Sequence, residues 1–185
     1  MAAAVAAASA GHAFAHILLL FLVFSTLSSA HRHFPFPSNI NPLCLAAPYP
    51  LLCAQLPPSS STLGLAELAA RAAASKISAS IPAVNRIRSR FAKNKRVASA
   101  LDVCAEVYAD AVSDLNSAAD ALRGGAGNFG DVMTYLSAGV TDVGTCDDAF
   151  DEDPSLVNPV AHISKNLNRL VTNSLTLASA VKRSE

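Results

Sequence analysis

One unbroken apolar stripe runs from Val97 to Leu122. Val97, Leu101, Cys104, Tyr108, Ala111, Leu115, Ala118 and Leu122 follow one another at alternating spacings of four and three. That recurrence holds side chains on one face of an α-helix and does not match the two-residue period of a strand. A helix this long, apolar along one whole face, needs other helices to cover it. Gly124-Gly125-Ala126-Gly127 then ends the segment, as glycine does at helix C-termini.

Three more segments have the same character. A helix is expected from about Thr62, capped by a Ser or Thr of the Pro57-Pro58-Ser59-Ser60-Ser61 turn. Its stripe is Leu63, Ala66, Ala70, Ala73, Ile77 and Ile81. Val84, Ile87 and Phe91 continue it beyond Pro82, which reads as a kink rather than a stop. A shorter helix is expected from Phe129 to Thr145, with Val132, Leu136, Gly139 and Val143 inward. The acidic run Asp147 to Asp153 with Pro154 reads as a loop. A last helix starts near Asn158-Pro159 and lines Val160, Ile163, Leu167, Leu170, Ser174, Leu177 and Val181 on one face. The expected fold is all-α: an antiparallel four-helix bundle over 62–182, behind a short stapled hairpin at 41–57.

The first thirty residues stand apart. They hold no Lys, Arg, Asp or Glu, and an apolar stretch within Ala13 to Leu27 precedes the small residues Ser28-Ser29-Ala30. This reads as a secretory signal peptide over 1–30, although its start lacks the usual basic residue. A membrane anchor would need about 20 apolar residues, so no membrane association is expected after cleavage. Residues 31–40 carry two prolines and read as an extended lead-in. In an oxidising compartment Cys44, Cys53, Cys104 and Cys146 imply disulfides. Three pairings exist on paper, and the turn at Pro48 and Pro50 favours the sequential one by bringing Cys44 and Cys53 together. A zinc site would need closer cysteine spacing, so no metal and no cofactor is expected.

Enzyme chemistry finds no foothold. The sequence has no nucleophile elbow, Walker loop or paired-histidine zinc motif, and the GGAG stretch lacks the Lys-Ser/Thr of a phosphate loop. His31 and His33 read as part of a loose terminus and His162 as a lone histidine. Fourteen basic and fourteen acidic residues cancel, which argues against a nucleic-acid partner. The cancellation is segmental. Eight basic and no acidic residues lie from Arg71 to Arg96, whereas twelve acidic residues and only Arg123 lie from Asp102 to Asp153. Asp102, Glu106, Asp110 and Asp114 recur every four residues, where like charges repel by a few tenths of a kcal/mol per pair. Such a ridge is either a surface for a basic partner or a solvated face packed near the basic first helix.

Several stretches, in order, resemble the plant invertase/pectin methylesterase inhibitor family. They are Cys44-Leu-Ala-Ala-Pro-Tyr-Pro-Leu-Leu-Cys53, the run Ala100 to Leu115 around Cys104, Tyr135-Leu-Ser-Ala138 running on to Thr145-Cys146-Asp-Asp-Ala-Phe150, and Asn173-Ser-Leu-Thr-Leu-Ala178. The resemblance implies sequential disulfides, a helical hairpin on a four-helix bundle, and secretion to the cell wall. It implies an inhibitor rather than an enzyme, a monomer that binds its target one to one and covers the substrate cleft. For a pectin methylesterase partner, the implied contact residues are Glu106, Asp110, Asp114, Thr145 and Asp148. Ser113 and Asn128 stand where acids can occur in that branch, and Tyr135 where a Trp is common. Acid invertase is the alternative partner, but the Pro-Lys-Phe tripeptide of that branch is missing. Two further classes are a pectin methylesterase pro-region, which would call for a catalytic domain after Glu185, and a helical bundle that inhibits nothing.

Overall fold

The structure is a computed structural model and describes residues 40–125 and 127–182. The signal peptide and nearly all of the lead-in, including His31 and His33, lie outside the described residues. Four long helices form the body: α1 (Thr62–Arg90), α2 (Lys95–Arg123), α3 (Phe129–Asp151) and α4 (Ala161–Lys182). Ahead of them a 3-10 turn, Pro42–Ala46, and a one-turn helix, Pro50–Cys53, make the hairpin.

Side-chain caps set the helix starts. Ser61 accepts the Gly64 amide at 3.0 Å, and Asn94 accepts that of Val97 at 3.3 Å. Asn158 Oδ1 accepts the Val160 amide at 2.9 Å just before α4. Gly125 at φ +86° supplies the left-handed turn after α2. Pro82 does not break α1, which is continuous through it. It is exposed on the outer face, so the Ser78 carbonyl that it cannot bond also faces outward.

The α2 stripe is buried along its whole length. α2 packs on α1 and α3, and α4 packs on the same two, which closes the ring. The α2–α3 seam runs antiparallel in a seven-residue register. Cys104 bonds Cys146 with Cα atoms 4.4 Å apart, and seven residues on from one and back from the other, Ala111 faces Gly139. A Cβ on Gly139 would stand 3.3 Å from Leu115 Cγ, so glycine permits the close approach. Small side chains do the same on α1, where Ala66, Ala69, Ala70, Ala73 and Ala74 are all buried. The core of α1 includes Leu65, which the expected stripe left out, while Leu63 and Ile81 are only partly buried.

One expectation is corrected. The run Asp147 to Asp153 is not a loop from its start, because α3 continues to Asp151. Phe150 extends the stripe of Val143 and Cys146 and is 2% exposed. Burying a Phe stabilises by about 1.5–3 kcal/mol. Each carboxylate in a final helical turn costs about 0.3–1 kcal/mol. Asn158 donating to Asp147 at 2.7 Å and an Arg96–Asp153 ion pair offset part of that cost.

The cysteines form two sequential disulfides, Cys44–Cys53 and Cys104–Cys146, and none is free. The hairpin is anchored by Asn173 of α4, which is 3% exposed. Its Oδ1 accepts the Tyr49 amide and its Nδ2 donates to the Tyr49 carbonyl, each at 2.9 Å. Beneath the second disulfide, Tyr108 and Ser164 share a buried hydroxyl–hydroxyl bond of 2.8 Å. Burial pushes the Tyr108 phenol up to about 12 against the lowering effect of that bond.

Candidate functional site

Helix geometry decides which carboxylates of α2 face a partner within the molecule. Asp102 and Asp120 are eighteen residues apart, which is about five full turns, so they share a face. That face meets α1. Arg88 grips Asp102 through Nε at 2.8 Å and Nη2 at 3.0 Å, and Arg71 reaches Asp120 at 2.8 Å. Glu67 of α1 accepts from Arg71 at 2.9 Å and from Arg123 at 2.8 Å. These guanidinium hydrogen bonds hold the Asp102 and Asp120 carboxyls below the usual range. The basic first helix thus neutralises one edge of α2, and Asp102 belongs to that seam rather than to a free ridge.

Each four-residue step rotates the ridge by about 40°. Glu106, Asp110 and Asp114 therefore turn progressively from α1 toward α3. None of the three forms an ion pair among the described residues. Glu106 and Asp110 are exposed and Asp114 is partly so. Across the seam stands Asp142 of α3, which the sequence reading did not single out. Its Oδ2 is buried and receives no hydrogen bond. Desolvation, then the Asp114 and Asp110 charges and a proton shared with Asp114, raise its carboxyl to about 6. The available signal was its position at the edge of the α3 stripe, three residues after Gly139 and four before Cys146.

The other expected site residues lie further along α3. Asp148 is exposed. Asp147 beside it is raised, first by burial and then by the Asp151 and Asp148 charges, against lowering by bonds to Ser164 and Asn158. Thr145 is half-buried, and its hydroxyl donates to the Thr141 carbonyl at 2.9 Å, a bond within the helix. The structure therefore brings Asp110 and Asp114 together around Asp142, and Asp148 beside Asp147. It does not present Thr145 as a free donor. Tyr135, also on α3, is 37% exposed. Among the described residues no group of three or more His, Cys, Asp or Glu side chains is arranged to hold a metal ion. His162 Nδ1 is paired with Asn166 Nδ2 at 3.2 Å.

A ring of four helices, two sequential disulfides, a docked hairpin and an acidic α2–α3 face define the class of the fold, a disulfide-stapled helical bundle. The family model described as plant invertase/pectin methylesterase inhibitor matches residues 38–177. The chain belongs to that family, and it is an inhibitor-type domain rather than a catalytic one. An Arabidopsis thaliana protein named pectinesterase inhibitor 3 is 25% identical over 88% of this chain and 89% of its own length. Pectinesterase 3 of Phaseolus vulgaris is 29% identical over 78% of this chain. The chain spans only 27% of that relative, and 17% of an Arabidopsis pectinesterase/pectinesterase inhibitor to which it is 31% identical. The crystal structure of a mutant form of an Arabidopsis pectin methylesterase inhibitor superposes with a TM-score of 0.61. It covers 77% of this chain and 97% of that one, at 19% identity, and so shares the fold.

Proposed function

We propose that this protein is a secreted inhibitor of pectin methylesterase, and that it binds the enzyme one to one and blocks its substrate cleft sterically. The observation that carries the reading is the acidic α2–α3 face. Among the described residues Glu106, Asp110, Asp114 and Asp148 have no cationic partner, whereas Asp102, Asp120 and Glu67 do. Carboxylates left unpaired at adjacent helical positions repel one another. A basic rim on a partner would relieve that repulsion and give the contact its specificity. The names of its relatives and the missing Pro-Lys-Phe tripeptide favour pectin methylesterase over acid invertase as the target. Export is supported by the apolar leader and by the four paired cysteines. No helix among the described residues is long and apolar enough to cross a membrane.

The test is titration of the purified mature protein against a plant pectin methylesterase and, separately, an acid invertase. The expected result is stoichiometric inhibition of the esterase, weakened by salt. The double variant Glu106→Lys/Asp110→Lys should lose inhibition while its helical circular dichroism and melting transition persist. Full inhibition by a folded double variant would overturn the assigned face. Inhibition of neither enzyme by the parent protein would overturn the function.

A further inference from the structure

The hairpin leaves a gap where it meets the bundle. A groove of about 770 Å³ lies between it and helices α1 and α4, well within the ~300–1,000 Å³ of small-molecule sites. One wall is apolar and turned to solvent: Tyr49 is 37% exposed and Leu51 57%. Leu56 and, from α4, Leu170 extend this apolar lining. The wall is preorganised. The Cys44–Cys53 bond closes the hairpin, and Asn173 fixes the Tyr49 backbone through two hydrogen bonds.

Two cations enter the same groove from different helices, Lys76 from α1 and Arg169 from α4. The Arg169 guanidinium lies 5.6 Å from the centroid of the Tyr49 ring, which holds it at the apolar wall. Neither cation ion-pairs with a described carboxylate. No acidic residue lines this groove. Asp147 and Asp151 line a second concavity that shares Tyr49 and Arg169 and also holds Lys165, so the side free of carboxylates is the one shared with Lys76. On α1, Arg71 and Arg88 are matched to α2 carboxylates, while Lys76, Arg86 and Arg90 form no ion pair among the described residues. Of these three only Lys76 lines the apolar cleft, where it meets Arg169 of α4.

We propose that this groove is a binding site for an anionic amphiphile, with its apolar body against Tyr49, Leu51, Leu56 and Leu170 and its carboxylate between Lys76 and Arg169. The site lies on the α1–α4 side of the ring and uses none of the α2–α3 acidic face.

The test is fluorescence titration of the purified mature protein with cis-parinaric acid and, in parallel, its methyl ester. Saturable binding of the acid is expected, at least about ten-fold tighter than the ester. Lys76→Glu and Arg169→Glu should each weaken acid binding by about ten-fold and leave the ester unchanged. Lys76 is exposed, so its variant carries the test even if the Arg169 variant melts early. Leu51→Glu should abolish both signals. The proposal fails if the acid gives no saturable signal, if acid and ester bind alike, or if the folded Lys76 variant binds the acid as tightly as the parent.

Discussion

Asp142→Asn should stabilise this protein at neutral pH and leave its stability unchanged in acid. Asp142 is partly buried on α3, faces Asp110 and Asp114, and has an Oδ2 that no donor reaches. Its carboxyl titrates near 6 in the fold against 3.8 in the free side chain. At 1.36 kcal/mol per pH unit this is a penalty of about 3 kcal/mol on the charged form. Partial exposure lets solvent screen the charges, so ~1–2 kcal/mol is the working figure. The sign follows from proton binding. Below pH 3.8 the group is neutral in both folded and unfolded chains and costs nothing. As pH rises from 3.8 toward about 6, the unfolded chain releases the proton first, so stability falls across that window and stays lower above it. Asparagine keeps the shape, removes the charge and can donate to Asp114. Urea unfolding should show the variant's midpoint raised by roughly 0.5–1 M at pH 7, given slopes of ~1–3 kcal/mol per M. The midpoints of variant and parent should coincide at pH 3.5, within about 0.2 M. Equal shifts at both pH values would refute the electrostatic origin, and destabilisation at pH 7 would refute the whole account.

Three further outcomes follow from the packing. Asn173→Ala orphans the Tyr49 amide and removes one donor from the Tyr49 carbonyl, which keeps the Leu52 and Cys53 amides at 3.1 and 3.2 Å, and a cost of about 1–3 kcal/mol is expected. Hydrogen exchange should show lost protection at the Tyr49 amide before any in α2. In the chain-entropy picture, opening the Cys104–Cys146 loop of 42 residues should cost about 4 kcal/mol, and opening the Cys44–Cys53 loop of 9 about 2.5. Paired Cys→Ser variants compared by thermal melting check that order. Gly125→Ala forces a Cβ into φ +86° and should cost about 1–2 kcal/mol although nothing lies within 4 Å, a value to be read by urea unfolding.

Much of the bundle was legible because its period is local. Every member of the Val97 to Leu122 stripe is buried. Ser61 and the GGAG segment bound their helices as short-range rules require. The end of α3 misled because local charge argued for a loop, while Phe150 answered to a core that no local rule reveals. The acidic face was legible only as a list of residues. The four-residue ridge looked uniform in sequence. Its first member, however, is bound by Arg88, which lies fourteen residues upstream on another helix.

The sequence by itself determined the helical periods, their ends, the two-charge segmentation and the supply of four cysteines, because each depends on neighbours within a few residues. Only the tertiary structure decided which carboxylates stay unpaired, that Asp142 is pressed between Asp110 and Asp114, and that a cationic apolar groove opens beside Tyr49. Those outcomes depend on the antiparallel register of whole helices. A helix turns by about 100° per residue, so where a charge points is fixed by packing far away along the chain.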